Sequence, residues 1–233
     1  MTTQDDWIAN LKAASGDLAR SSTVTRVADL LRQQITDGHL VPGAALPEKL
    51  LSEAANVSRN TMREAFRLLA QEGLVVHEFN RGVFVRSLTL ADVADVYRVR
   101  RILEGAGVRN AAEAGPEPVA RVGAVVAEGE RAAAEGRWAD VGTADIRFHQ
   151  AVAALCGSPR VDDMMRHLLA ELRLVFHVMG SAERFHGPYL PRNRRLADLL
   201  AAGDLTTADQ ELRAYLYDAE AQLTAAYTAV EPA

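Results

Sequence analysis

Cysteine is nearly absent from this sequence: the 233 residues contain one, Cys156. A single thiol can form neither a disulfide within the chain nor a zinc site built on cysteines, and it fits a reducing compartment. Aromatic residues make up only 6% and there are 8 prolines, a composition that favours helices over a many-stranded β fold. No apolar run approaches the roughly 18 residues of a membrane helix, and no secretory signal opens the chain. We therefore expect a soluble, cytoplasmic, mainly α-helical protein.

An excess of positive charge is missing as well, because 26 Lys and Arg stand against 31 Asp and Glu, a net charge of −5. The chain as a whole is therefore no binder of polyanions, and contact with nucleic acid requires a local arrangement. Residues 20–86 hold 9 basic and 7 acidic side chains, whereas residues 87–233 hold 16 and 21. In a chain long enough for two domains, this asymmetry places the candidate nucleic-acid contact in the N-terminal portion.

Helical and strand periodicities in that portion predict a winged helix-turn-helix over residues 22–86. Ser58 is a good N-cap and Gly73 a good C-terminal stop for the helix between them. The expected elements are a first helix ending at Asp37-Gly38, helices at about 48–55 and 59–72, and strands at 74–78 and 83–86. We expect residues 1–21 to form an N-terminal arm and residues 87–89 to form a linker.

The start of the third helix carries the candidate DNA-binding residues. In a helix-turn-helix, the N-terminal residues of the second motif helix face base edges and phosphates. Polar and guanidinium side chains cluster at these positions: Ser58, Arg59, Asn60, Thr61 and Arg63. At the wing tip Arg81 precedes Gly82, and a glycine lets the backbone approach a minor groove. The alternative is that the two helix arginines form a solvated face with Glu64 and Glu72.

After residue 89 the sequence predicts an all-α bundle, which we place at residues 90–229. Six helical segments are expected, at about 89–114, 118–135, 139–156, 159–179, 191–202 and 205–228. His186 falls in an expected loop between the fourth and fifth segments and has no assigned role. Folds of this kind bind ligands in pockets between their helices.

Four segments of the N-terminal portion resemble the DNA-binding domain of GntR-family transcriptional regulators: ITDGHLVPG (35–43), LPEK (46–49), VSRNTMREA (57–65) and EGL (72–74). The resemblance covers about residues 24–86. It implies DNA contacts for Lys49, Ser58, Arg59, Asn60, Thr61 and Arg63, with Arg81 and Gly82 in the wing. Arginine is common in the family where this chain has Lys49, and a lysine can hold a phosphate but cannot make a bidentate fork.

The second portion resembles the FCD effector domain of the FadR subfamily. The resemblance rests on VRRILE (99–104), DIRFH (145–149), Gly157-Ser158 and a final helix pair joined at Gly203-Asp204. It implies a homodimer whose bundle binds a small metabolite. Metal-binding members of the family carry an Asp and a His four residues apart and two further histidines, and these positions fall here on Asp145, His149, Asn193 and Tyr215.

Because two of the three histidine positions lack an imidazole here, the resemblance implies no required cofactor and at most a weakly bound divalent metal at Asp145 and His149. The alternative for this pair is a hydrogen bond within one helix, inside a polar pocket. The candidate effector-binding residues are Arg100, Asp145, His149, Arg173, Asn193 and Tyr215. Arg173 stands in an otherwise apolar helix, so it needs a carboxylate partner from Asp145, Glu104 or an effector.

The leading interpretation is a ligand-responsive bacterial transcriptional regulator. It would bind a pseudo-palindromic DNA operator as a homodimer and a small, anionic organic acid in the bundle, without a membrane partner. We do not expect an enzyme, because the sequence lacks a P-loop, a dinucleotide fingerprint and the common hydrolase motifs. Two alternatives stay open at this stage: a metal-dependent hydrolase that uses Asp145 and His149, and a dimerisation module that does not bind DNA.

Overall fold

The computed structural model describes residues 23–179 and 181–230, and the expected arm at residues 1–21 lies outside them. The described chain separates into two compact units. The first comprises residues 23–34 and 42–86, and the second comprises residues 35–41 and the chain from 87 onward. Helices dominate both units and the described sheet has two strands, which confirms the predicted fold class.

The first unit is a winged helix-turn-helix. Its elements are α1 (23–36), α2 (Glu48–Ala54), α3 (Arg59–Gln71), β1 (Val75–Glu78) and β2 (Gly82–Val85). The strands pair antiparallel, with Val75 opposite Val85 and Glu78 opposite Gly82. Segment 43–46 extends this sheet, because Leu46 N donates to Val83 O at 2.8 Å.

Apolar side chains on one face of each helix build the core of this unit. Met62, Phe66 and Leu69 of α3 are buried, and Val27 and Leu31 of α1 are buried as well. Leu30 belongs to the same apolar pattern but is 52% exposed, because it lies one position off the buried face of its helix. The buried face of α3 leaves its opposite face, with the candidate DNA-binding residues, in solvent.

The second unit is an all-α bundle. Its helices are α4 (Leu90–Ala114), α5 (Pro116–Ala134), α6 (Trp138–Ala154), α7 (Pro159–Val175), α8 (Ala182–His186), α9 (Leu190–Ala202) and α10 (Leu205–Val230). Thr89 caps α4 with a reciprocal capping box to Asp92. None of the helices among the described residues is both long and apolar enough to span a membrane.

The chain between α7 and α9 differs from the prediction. The α-helix expected to reach residue 179 ends at Val175 and continues as a 3-10 turn, Phe176–Met179. The expected loop around His186 contains the five-residue helix α8. A helix this short spans little more than one turn, so its sequence shows no helical periodicity.

Helix α6 lies at the centre of the bundle and contacts α4, α5, α7 and α8. Gly107 allows α4 and α6 to approach closely, because a Cβ atom placed on it would lie 2.1 Å from the backbone oxygen of Val152. Two polar residues of α6, Asp145 and His149, are buried in the interior, where they meet side chains from several other helices.

Candidate functional site

The N-terminus of α3 is exposed and capped in the way the sequence predicts. Ser58 is the N-cap, and its hydroxyl accepts a hydrogen bond from Thr61 N at 3.0 Å. Its hydroxyl also lies 2.8 Å from that of Thr61, so this pair fixes the first turn. Arg59, Asn60 and Arg63 extend from that turn into solvent.

The ion pairs of the first unit leave these arginines accessible. Arg59 has no ion pair within the described residues, and Arg63 has a long, exposed contact of 3.7 Å with Glu48. The expected alternative partners are used elsewhere, because Glu64 pairs with Arg67 at 2.7 Å and Glu72 accepts two hydrogen bonds from Arg32. Neither Glu64 nor Glu72 therefore pairs with Arg59 or Arg63 within the described residues.

The wing tip is a short loop between β1 and β2 that exposes Arg81 and Gly82. Gly82 has φ +108°, a backbone conformation that side chains disfavour. Lys49 is exposed near the start of α2. The first unit thus places every candidate DNA-binding residue at its surface, apart from the half-buried Thr61.

The interior of the second unit holds a chain of buried polar side chains that begins on α4. Arg100 Nε donates to Glu104 Oε1 at 2.7 Å, and Glu104 is fully buried. On its other side, His149 Nδ1 lies 2.7 Å from Glu104 Oε2. Burial alone would raise the pKa of Glu104, but the charge of Arg100 and the imidazole outweigh burial and lower it. Glu104 is therefore an ionised carboxylate that holds two partners.

The chain continues from His149 to Asp145 through Tyr215. His149 Nε2 lies 3.2 Å from the Tyr215 hydroxyl, which donates to Asp145 Oδ1 at 3.2 Å. The same oxygen accepts a hydrogen bond from Asn193 Nδ2 at 2.8 Å. Burial would raise the pKa of Asp145, but His186, His149 and Asn193 together hold it below its ordinary value. We call these six side chains the buried polar cluster: Arg100, Glu104, Asp145, His149, Asn193 and Tyr215.

His186 of α8 contacts this cluster, although no role was predicted for it. Its Nδ1 lies 3.4 Å from Asp145 Oδ2, and the side chain is 3% exposed. The two residues are far apart in sequence and come together only because α8 packs on α6. In the sequence, the only sign of this contact is that a histidine, a residue type common at polar sites, stands in an expected loop.

Arg173 on α7 is 9% exposed, and burial lowers its pKa. Neither of the two protein carboxylates considered from the sequence, Glu104 and Asp145, forms an ion pair with it, because both contact other members of the buried polar cluster. Its hydrogen bond within the described residues goes to the backbone oxygen of Asp37 at 3.5 Å. Arg173 is therefore a buried guanidinium that pairs with no carboxylate of the described residues.

Gly142 allows Arg173 to approach the region around Asp145 and His186. A Cβ atom on Gly142 would lie 2.5 Å from Arg173 Nη1 and 2.8 Å from His186 Nε2. The missing side chain therefore leaves the space in which the guanidinium and the imidazole approach each other. The Arg173 guanidinium and the His186 imidazole both lie near Asp145, on one side of α6.

The four residues at the expected metal positions come together, but their polar atoms are directed at one another and not around an ion. Asp145 and His149 approach only to 3.9 Å, so the intrahelical hydrogen bond weighed from the sequence is not formed either. Asn193 turns its amide nitrogen, not its oxygen, toward Asp145. Among residues 23–179 and 181–230, no group of three or more His, Cys, Asp and Glu side chains is arranged to hold a metal ion. The donor set therefore does not fit a metal centre.

Both portions of the chain match known families. Residues 23–85 match the bacterial regulatory proteins of the GntR family, and residues 95–218 match the FCD domain. A transcriptional regulator in an unstable DNA locus of Streptomyces ambofaciens is 33% identical over 80% of this chain and 78% of its own. The chain belongs to the GntR family of transcriptional regulators. This confirms the family prediction made from the sequence motifs.

Two further relatives span most of the chain. A transcriptional regulator of known structure from Rhodococcus sp. RHA1 is 49% identical, with a TM-score of 0.81 over 88% of this chain and 99% of its own. A protein of Paenarthrobacter nicotinovorans, named as a repressor of a D-xylose utilization operon, is 26% identical over 87% of this chain and 89% of its own. Members of the GntR family are regulators that bind DNA and effector ligands, so the chain is a transcriptional regulator and not an enzyme.

Proposed function

We propose that this regulator binds a pseudo-palindromic operator as a homodimer, in the bacterial cytoplasm, through the exposed N-terminus of α3. The observation that carries the proposal is the capped first turn, from which Arg59, Asn60 and Arg63 extend without a strong ion pair in the described residues. A helix N-terminus also attracts phosphate through its free N–H groups. Lys49 and the wing residues Arg81 and Gly82 are proposed to hold the flanking backbone.

The test is DNA binding by the full chain, on duplexes that the wild-type protein selects from a random pool. We expect Arg59→Ala and Arg63→Ala each to lose about 1–3 kcal/mol of specific binding, because each removes a guanidinium that reads a base. Lys49→Ala should weaken binding to all duplexes and reduce the salt slope by about 1, because it removes a phosphate contact. Arg166→Ala is the matched control, since this exposed arginine lies on α7 of the other unit.

Two outcomes contradict this assignment. The first is wild-type affinity in the double variant of Arg59 and Arg63, which would move base reading to another surface. The second is a stoichiometry of one chain per selected duplex at saturation, which would contradict the homodimer on a two-part operator.

We propose further that the effector is a small organic acid bound at the buried polar cluster. Three buried atoms there make no hydrogen bond within the described part of the chain: Arg100 Nη2, His186 Nδ1 and Asn193 Oδ1. Buried polar atoms without partners are rare in native proteins and call for an explanation such as a bound ligand. An anion would satisfy Arg100 Nη2, and it would also give a charged partner to Arg173, whose hydrogen bond goes to a backbone oxygen. Asn193 Oδ1 is an acceptor, so it would be satisfied by a hydrogen-bond donor of the effector, such as a hydroxyl.

Thermal unfolding of the full chain with gluconate, lactate, citrate and benzoate tests this proposal. A carboxylate that fits should raise the unfolding temperature by roughly 5–10 °C at about 100 times its Kd. Arg173→Gln should abolish the shift, whereas Arg166→Gln, at an exposed arginine on the same helix, should keep it. An undiminished shift in the Arg173→Gln variant would remove the anion clamp, and shifts with glucose or glycerol alone would exclude an organic acid.

A further inference from the structure

Phe79, at the tip of the wing, is the most exposed large apolar side chain of the described residues. Its side chain is 91% exposed, against 61% for Leu50 and Ile102. The other phenylalanine on the wing, Phe84, is half-buried, and Phe66 is fully buried in the core. The fold of the first unit therefore makes no use of the Phe79 ring.

The loop that carries Phe79 is short and well defined. Glu78 stands opposite Gly82 in the register, so the loop consists of residues 79–81. Arg81 N donates to Glu78 O at 3.1 Å, and the two side chains also form an ion pair. Asn80 has φ +58°, a left-handed backbone conformation that asparagine tolerates better than most residues. A three-residue loop closed in this way holds the ring outward, away from the body of the unit.

Phe79 stands next to two residues that suit a groove of DNA. Proteins that bind the minor groove commonly read it with Arg and Asn and insert an apolar wedge, such as Phe, between base steps. The loop presents these three types in consecutive positions, Phe79, Asn80 and Arg81. Arg81 is 70% exposed, so its guanidinium can leave Glu78 for a phosphate or a base edge.

We propose that Phe79 is an apolar wedge that enters the minor groove beside the bases read by α3 and bends the duplex there. The proposal rests on the operator binding proposed above. DNA suits this tip better than a protein partner, because a stable protein interface needs about 800 Å² per partner and a loop of three residues offers far less. A ring placed between base steps gains stacking and also relieves the exposure of its own apolar surface.

The test compares Phe79→Ala with the wild-type full chain on a duplex that the wild type selects from a random pool. Affinity should fall about 5- to 100-fold, the usual loss when an aromatic contact to a base is removed. The salt slope should not change, because no charge is lost. Arg81→Ala should instead reduce that slope by about 1. Circularly permuted fragments should show a smaller bend for Phe79→Ala, and Phe79→Leu should keep part of it.

The controls distinguish the loss of the proposed wedge from a loss of folding and from a loss of oligomeric assembly. Val76, on the same wing but away from its tip, is 41% exposed, so Val76→Ala should bind and bend DNA as the wild type does. The unfolding temperature of Phe79→Ala should match the wild type, since the ring makes no core contact.

Each other outcome overturns the proposal. If Phe79→Ala binds and bends the duplex normally, the wedge is wrong while the proposed function stands. If light scattering shows that the variant loses its oligomeric state together with its affinity for DNA, the ring takes part in a contact between protein chains and not with DNA. If the wild type selects no duplex at all, the proposed function fails and the wedge fails with it.

Discussion

Replacing Glu104 by alanine is expected to lower the free energy of unfolding of the second unit by about 3–5 kcal/mol. Glu104 is fully buried and accepts the Nε–H of Arg100 at 2.7 Å. Burial disfavours the charge of Arg100, but Glu104 outweighs burial and raises the pKa of the guanidinium. The variant therefore leaves a cation that cannot neutralise itself in an apolar interior, and His149 loses its carboxylate as well.

Urea unfolding measures this effect through the emission of Trp138, on α6, in a Trp7→Phe background. Glu128→Ala is the matched control, because Glu128 pairs with Arg147 at 3.7 Å while both side chains are about half exposed. An exposed pair of this kind contributes roughly 0–1 kcal/mol. Equal losses in the two variants would show that the charge of Arg100 is solvated in the folded state.

A double substitution separates the contribution of the two charges to stability from the contribution of packing. Arg100→Leu combined with Glu104→Leu removes both charges and keeps apolar volume, and buried pairs replaced in this way are often neutral in stability. We therefore expect the double variant to be more stable than Glu104→Ala alone. If it is less stable, the hydrogen bonds of the pair contribute more than the desolvation of its charges costs.

The winged helix-turn-helix was predictable because its signals are local. Ser58 caps α3 through an atom three residues away, Thr61 N, and the buried face of α3 repeats at helical spacing in Met62, Phe66 and Leu69. Such signals depend on neighbours in sequence, and a single chain displays them directly. The strand boundaries came within about one residue for the same reason.

The partners inside the bundle were predictable only where one helix supplies both. Arg100 and Glu104 are four residues apart on α4, so both lie on one helical face, and the structure pairs them. Asp145 and His149 share the same spacing, yet His149 turns to Glu104, 45 residues away. Spacing shows which side chains share a helical face, but the choice between two possible partners depends on how the helices pack.

His186 shows the limit of periodicity as a signal. Its helix has five residues and follows a 3-10 turn and one undescribed residue. Its contact with Asp145 arises from the packing of α8 on α6, which no local pattern reports. The same holds for Arg173, whose need for a partner was evident from its apolar helix, although the identity of the residues around it was not.

Gly107→Ala is expected to destabilise the second unit by about 3 kcal/mol, at the upper end of the usual cost of overpacking. The added Cβ atom would lie 2.1 Å from the backbone oxygen of Val152 and 3.1 Å from Ala153 Cα. Backbone atoms cannot rotate away as a flexible side chain would, so α4 and α6 have to separate. Gly123→Ala is the matched control, because nothing lies within 4 Å of a Cβ atom at this position in α5. That variant should be about 0.5–1 kcal/mol more stable than the wild type, since alanine favours helix over glycine.

The separation of α4 from α6 should also disturb the proposed effector site, because these two helices hold the two ends of one hydrogen bond. Glu104 lies three residues before Gly107 on α4, and its 2.7 Å contact is with His149, three residues before Val152 on α6. We therefore expect Gly107→Ala to reduce the thermal shift caused by any carboxylate that stabilises the wild type, whereas Gly123→Ala should leave that shift unchanged. The urea midpoint and the ligand-induced shift of both variants are the measurements. A Gly107→Ala protein with wild-type values for both would show that the two helices accommodate a methyl group and are not in close contact at this point.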